Sequence, residues 1–236
     1  MRRFFRITGY VLGALLAVNV AFVGMISFPG WAFAHVAGTE RIRIHSPHPL
    51  PPETAVFAAR IMADLDASAL PPPDKTTHIY ITGSGWRETL FFAAAPRAGG
   101  LVYAIGPGNI VFLSGADIAA NRLIKDGVVI NPPRTLAYYI THEIAHVSQL
   151  ARYGLVDYLR LPQAIREGIA DYLALGPADG ALRDAIVDTM VEGPHFDLME
   201  AHGAYPKHRV FVSDLIADGD VVALMDQTLG KRLPAR

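Results

Sequence analysis

A run of 22 residues without a charged side chain, Ile7 to Phe28, constrains the fold of this chain more than any other feature. As an α-helix it would be roughly 33 Å long, about the thickness of the hydrocarbon core of a bilayer. Arg2, Arg3 and Arg6 precede the run, and basic flanks stay on the cytoplasmic side of a membrane. Residues 1–34 are therefore predicted to be a single-pass transmembrane anchor, with the rest of the chain on the extracytoplasmic (periplasmic) side.

The end of this segment leaves a second possibility open. Ala32-Phe33-Ala34 has the small-x-small pattern of a signal-peptidase site, so cleavage after Ala34 would release a secreted form. The apolar run exceeds the roughly 7–15 residues of a secretory signal, which favours the anchor. Residues 35–52 are interpreted as a membrane-proximal linker rich in proline, and residues 53–236 as one folded domain.

The amino-acid composition excludes several classes of function. The chain has no cysteine, which excludes disulfides, thiol nucleophiles and cysteine-ligated zinc. Its formal net charge is −1 and no basic stripe is present, so no nucleic-acid partner is expected.

Hydrophobic periodicity and turn residues place strands in the first half of the domain and helices in the second, which indicates an α+β fold. Strands are predicted at residues 41–45 and 78–82 and in a hairpin of 101–105 with 110–113. Helices are predicted at residues 53–67, 86–92, 116–125, 131–153, 162–175, 179–191, 203–217 and 220–229. For the helix at 131–153, Asn131 is the expected cap and Gly154 the expected stop.

The pattern His142-Glu143-Ile144-Ala145-His146 lies inside that helix. Residues four apart share a helix face, so both imidazoles can reach one metal ion. Glu143 lies about 100° round the helix, where its carboxylate can reach a metal-bound water. Hydrolytic zinc needs three protein ligands and an open position. The motif therefore predicts one Zn²⁺ per chain, with Glu143 as general base.

The third ligand must come from another segment, because no further histidine follows at the spacing of the three-histidine class. Glu167 is the best candidate, on a helix that begins at Pro162. Asp171 shares its face, and its carboxylate can accept a hydrogen bond from the far nitrogen of a ligand histidine.

Together, His142-Glu143-x-x-His146 and Glu167-Gly168-x-Ala170 resemble the gluzincin zinc metallopeptidases, in particular the small bacterial peptidase MA-like group. The resemblance covers roughly residues 76–230, and it departs from the family at Ala164, where a tryptophan is frequent. It implies a zincin-like domain with a small mixed sheet. This domain is expected to hydrolyse peptide bonds in a peptide or protein substrate.

The resemblance also implies a tyrosine or histidine that stabilises the transition state. Tyr205 matches the family's tyrosine at a helix start, and His202 and His208 are alternatives. The strand 110–113 is expected at the rim of the cleft. The glutamate that binds the substrate's amino terminus in aminopeptidases has no counterpart near Gly106, which favours an endopeptidase. The competing hypothesis is a catalytically silent zincin-fold binding or assembly module at the cell envelope.

Overall fold

The computed structural model describes residues 2–191, 202–216 and 220–231. His195, which the sequence places in a turn, lies outside these ranges. The described helices are α1 (Arg2–Ser27), α2 (Thr54–Asp66), α3 (Trp86–Phe91), α4 (Leu136–Arg160), α5 (Gln163–Leu175), α6 (Gly180–Val191), α7 (Pro206–Leu215) and α8 (Val221–Thr228). The strands are β1 (His35–Gly38), β2 (Ile42–Ser46), β3 (Thr77–Ile81), β4 (Gly100–Val102), β5 (Ile110–Leu113), β6 (Gly115–Asp117), β7 (Arg122–Lys125) and β8 (Val128–Val129). The α+β class predicted from the sequence is confirmed.

Five of the described strands form a mixed sheet in the order β1-β2-β3-β5-β4. The three central strands are parallel, and β1 and β4 run antiparallel at the two edges. One face of this sheet packs against α2 and α4 through Ile44, Ile79, Val111 and Ile144, all fully buried. The sheet therefore fixes the position of α4, which is the helix with the His-Glu-x-x-His motif.

The opposite face of the sheet is covered by aromatic side chains and by the end of α1. Phe33, Tyr80, Phe91 and Phe112 pack in one cluster with Ile26 of α1. Because both faces are covered, β5 is buried at all four positions instead of alternating.

Helix α1 is long and apolar enough to cross a membrane between Tyr10 and Ser27, a property that a signal sequence near the N-terminus shares. Most of its described side chains are exposed, and its last turns contact the domain. Residues 35–52, interpreted from the sequence as a linker, contribute β1 and β2 to the sheet. The alternating burial of Ile42, Ile44 and Ser46 on β2 explains how this segment joins the core.

The helix predicted at residues 116–125 is wrong. This segment forms β6 and β7 of a separate three-stranded sheet, β6-β7-β8. The deciding signal is Asp126-Gly127, whose φ angles are 51° and 77°. Two consecutive positive φ values define the tight hairpin turn that this residue pair favours, and the turn forces the flanking residues into strands.

The start of the motif helix also differs from the prediction. Thr135, not Asn131, is the N-cap, and its side-chain oxygen accepts a hydrogen bond from the Tyr138 N–H at 3.1 Å. Asn121 supplies a second acceptor to the Ala137 N–H at 2.8 Å. At the other end, Gly154 has φ 70° and interrupts the helix as predicted, although a further helical segment continues to Arg160.

Candidate metal centre

Helices α4 and α5 bring three ligand side chains to one point. His142 and His146 lie one turn apart on α4, and Glu167 faces them from α5. Their ligand atoms all lie within 4.8 Å of one another, so the group could hold a metal ion. The structure thus brings together the three residues that the sequence proposed as ligands.

The distances in this group suit zinc. One carboxylate oxygen of Glu167, Oε2, lies 3.3 Å from His142 Nε2 and 3.3 Å from His146 Nε2. Two ligand atoms about 2.05 Å from an ion at the tetrahedral angle are roughly 3.3 Å apart. Glu167 Oε2 could therefore share one ion with either histidine nitrogen, and all three ligand atoms lie within 4.8 Å of one another.

Charge in the centre also favours a divalent cation. Glu143, Glu167 and Asp171 place three carboxyl groups around two histidines. Burial lowers the pKa of His142, but hydrogen bonds to Asp171 and Glu167 outweigh it and raise the pKa to about 10. Burial raises the pKa of Glu167, yet its two histidine partners hold that pKa well below the usual range. A cation replacing the proton would satisfy the same carboxylates.

Asp171 fixes the orientation of His142. Its fully buried carboxylate lies 2.9 Å from His142 Nδ1, which leaves Nε2 directed at Glu167. The same carboxylate accepts hydrogen bonds from Tyr138 Oη at 2.6 Å and from the Tyr205 N–H at 2.7 Å. One side chain thus links the first helix of the centre to the segment that precedes α7.

His146 is oriented by a different set of partners, which sequence reasoning missed. Its Nδ1 lies 3.4 Å from Gln149 Oε1 and 3.4 Å from Tyr158 Oη. Gln149 is held in turn because its Nε2 donates to the Arg166 carbonyl at 3.1 Å. The guanidinium of Arg166 lies 4.9 Å from the Tyr158 ring centre. Tyr158 belongs to the helical segment after Gly154, which the sequence did not predict, so its contact with His146 could not be foreseen.

Glu143 lies beside the ligands in a cleft of about 330 Å³. Burial raises the pKa of Glu143, and the two histidines oppose that shift. Edge strand β4 passes so close that a Cβ added at Gly100 would lie 2.5 Å from Glu143 Oε1. Gly100 is therefore a further site residue that sequence reasoning missed, because its approach to Glu143 depends on the order of the strands in the sheet.

Tyr205 lines the cleft and is the N-cap residue of α7. Its ring stacks on the imidazoles of His142 and His208, with 5.7 Å and 5.6 Å between ring centroids. Burial and the nearby carboxylates raise the pKa of Tyr205, so its hydroxyl stays protonated and able to donate. Neither His202 nor His208 is among the described residues that line the cleft.

The strand expected at the rim was misassigned. Strand β5 is paired on both sides, with β3 and β4, and is wholly buried. The rim is formed by β4, which lies at the edge of the sheet and lines the cleft from Gly100 to Val102. The two strands do form an antiparallel hairpin, although the first is Gly100–Val102 and not 101–105. The order of strands in a sheet is a long-range property, which explains why the sequence placed the wrong strand of the hairpin at the rim.

No family model matches this chain, and no characterised protein matches it in sequence.

Proposed function

We propose that the chain is a membrane-anchored zinc metallopeptidase of the HExxH gluzincin type. The observation that carries the proposal is the convergence of His142, His146 and Glu167, with both histidine Nε2 atoms 3.3 Å from the same carboxylate oxygen. Such a ligand set, with a cleft on one side and a further carboxylate beside it, is the arrangement that hydrolytic zinc requires.

When bound, the metal would lower the pKa of a coordinated water and polarise a peptide carbonyl. Glu143 would accept the proton of the attacking water and return it to the leaving amine. Asp171 and Gln149 would hold the two imidazoles in the tautomer that leaves Nε2 free to ligate. Tyr205, kept protonated, would donate a hydrogen bond to the developing oxyanion.

An extended peptide would bind along the free edge of β4. In the described part of the chain this strand pairs with β5 alone, so its other edge is available for main-chain hydrogen bonds. Glu143 and Glu167 are the carboxylates among the described cleft residues. Because both have roles at the metal, neither is left to bind a free amino terminus. This supports an endopeptidase.

Retention of the N-terminal helix is supported by its packing on the domain. Ile26, Ala32 and Phe33 are buried against the outer sheet face. The Arg87 side chain donates from Nε to the Ala32 carbonyl at 2.8 Å. Cleavage after Ala34 would strip these side chains from the sheet, so the anchored form, with an extracytoplasmic domain, is the one that we propose.

The test of function uses the full chain in detergent. We expect about one zinc per chain by metal analysis and cleavage of members of a broad peptide library. Glu143→Gln should lower cleavage about a thousandfold while zinc stays bound, and exposed Glu53→Gln should leave both unchanged. Absence of zinc from every preparation would exclude the metal site. Bound zinc without cleavage of any peptide would favour the silent binding module.

A further inference from the structure

The anchor helix is joined to the catalytic domain by side-chain packing. Ile26, in its last turn, is 3% exposed. The Phe22 ring meets the Tyr103 ring edge to face, with 5.9 Å between centroids. A Cβ at Gly106 would come within 2.9 Å of Ser27 Oγ. The helix direction and the domain orientation are therefore coupled, and a membrane around the helix fixes which surface of the domain faces it.

Exposed apolar side chains surround the point where the helix meets the domain. We define the collar as Phe28, Trp31, Trp86 and Ile105, which are 76%, 61%, 51% and 56% exposed. The two indole rings stack at 5.7 Å, and the Arg87 guanidinium lies 4.7 Å from the Trp86 ring centre. Tryptophan is enriched where a membrane meets water, and a guanidinium there can reach lipid headgroups. The bilayer interface is the partner that this position and chemistry select.

The same hairpin that touches the anchor also forms the rim of the cleft. Gly100 lies against Glu143, and Tyr103, three residues later, lies against Phe22. Three residues of extended chain span about 10 Å. Phe22 precedes Ser27 by five residues, or roughly 7.5 Å of helix. The rim strand β4 therefore leads from Glu143 to a contact with α1 that lies within roughly 7.5 Å of the end of the apolar helix.

We propose that the collar rests in the bilayer interface and that the substrates are polypeptides held at the same membrane surface, cut in the segment just outside it. This inference rests on the proposed peptidase function and on retention of the anchor. A peptide added to β4 would have one end directed at the membrane. A segment already tethered there would enter the cleft without the diffusional search that a soluble peptide needs.

The membrane contact can be tested without any enzymatic activity. Trp31 and Trp86 are the two tryptophans of the chain, so intrinsic fluorescence reports on the collar. The full-length Trp31→Phe variant, reconstituted in vesicles, leaves Trp86 as the sole indole on the domain. We expect brominated lipid to quench it by about half relative to unbrominated lipid, because interfacial indoles lie within reach of the acyl chains. Unquenched Trp86 would overturn the collar contact.

The substrate class is tested in the same vesicles with peptides that carry a transmembrane helix followed by a row of identical cleavable sites. We expect cutting at the site nearest the membrane to exceed cutting at a site 30 residues out by about tenfold. The double variant Trp31→Ala/Trp86→Ala should weaken that preference, whereas Val56→Ala, exposed on α2, should not.

Equal cutting at all sites, or faster cutting at distant ones, would overturn the membrane-proximal substrate class. Absence of cleavage from every peptide would contradict the proposed function, and the substrate class with it. The fluorescence result would still decide the membrane contact on its own.

Discussion

Asp171 connects more of the candidate metal centre than any ligand does, because His142, Tyr138 and the backbone of Tyr205 all share its carboxylate. Replacing it with asparagine removes the charge that fixes the His142 tautomer. Loss of such a partner typically weakens metal binding 10–100-fold. We expect Asp171→Asn to weaken zinc affinity by about that factor in competition with a chelator.

Exposed Asp64→Asn, on α2, is the matched control for the loss of one carboxylate and should bind zinc as the parent chain does. Unchanged affinity in Asp171→Asn would show that His142 is held by the helix alone.

Gly100 offers a way to move Glu143, the proposed general base, without changing a proposed metal ligand. The Cβ of Gly100→Ala would lie 2.5 Å from Glu143 Oε1, so the carboxylate or the strand has to move. A misplacement of about 1 Å at a reacting group can lower a rate about a hundredfold. We expect that loss in peptide cleavage with zinc content unchanged. Gly180→Ala, where a Cβ meets nothing within 4 Å, should cleave normally.

The sequence predicted those site residues whose role follows from local geometry. The spacing of His142 and His146 defines a helix face, and Glu167 and Asp171 repeat that spacing on the next helix. Gly100 and Tyr158 were missed because each reaches the site through tertiary structure, one by strand order and the other by the bend at Gly154.

At the level of elements, the close contact between α5 and α7 depends on Gly168, because glycine has no side chain to hold the two helices apart. A Cβ at Gly168 would lie 2.4 Å from the His208 carbonyl oxygen and 2.6 Å from a Val212 methyl group. Overpacking of this kind typically costs about 1–3 kcal/mol. We expect Gly168→Ala to lower the free energy of unfolding by that amount, measured by denaturant titration. If Gly168→Ala proved as stable as Gly180→Ala, the result would show that α5 and α7 can move apart without loss of stability.

Strands β2 and β3 carry a histidine pair, with His45 Nε2 and His78 Nδ1 3.0 Å apart. Burial, His78 and Arg43 lower the pKa of His45 to about 4, and burial, Arg43 and Lys75 lower the pKa of His78. The unfolded chain binds protons near pH 6.5, so it gains protons before the folded chain does. This contribution to stability is therefore present above pH 6.5 and is lost as the pH falls toward 4.

We expect His45→Gln to reduce the acid sensitivity of unfolding between pH 6.5 and pH 4. The difference should be about 1 kcal/mol, because His45 is partly solvated and screening reduces the shift. Urea titrations at both pH values measure it. Exposed His48→Gln should keep the slope of the parent chain, and an unchanged slope in His45→Gln would exclude the pair as its source.

Most elements followed from periodicity, because α2, α5, α6 and α8 begin and end within two residues of their predicted limits. The failure at residues 116–125 came from reading apolar residues as a helix face while the Asp126-Gly127 turn set the strand geometry. Turn chemistry outweighed a short and ambiguous periodicity there.

For the molecule as a whole, the N-terminal segment contributes both a helix that is long and apolar enough to cross a membrane and a part of the folded core. Phe33, 8% exposed, packs against Tyr80 and Phe91 on the outer face of the sheet. Burial of one large apolar side chain contributes about 1.5–3 kcal/mol. A chain that begins at His35 would lose Phe33, Ile26 and Ala32 together and expose the aromatic face of the sheet to water.

We therefore expect the protein recovered from membranes of an expressing bacterial cell to retain residues 1–34, as measured by its intact mass. A chain produced from His35 onward should unfold at a lower temperature than the full chain and bind a hydrophobic dye, because its outer sheet face is uncovered. A chain beginning at Phe22 retains Ile26 and Phe33 but too little apolar helix to span a membrane, and it should recover most of the lost stability. Recovery of a mature protein that begins at His35 and is as stable as the full chain would show that the segment is a signal peptide.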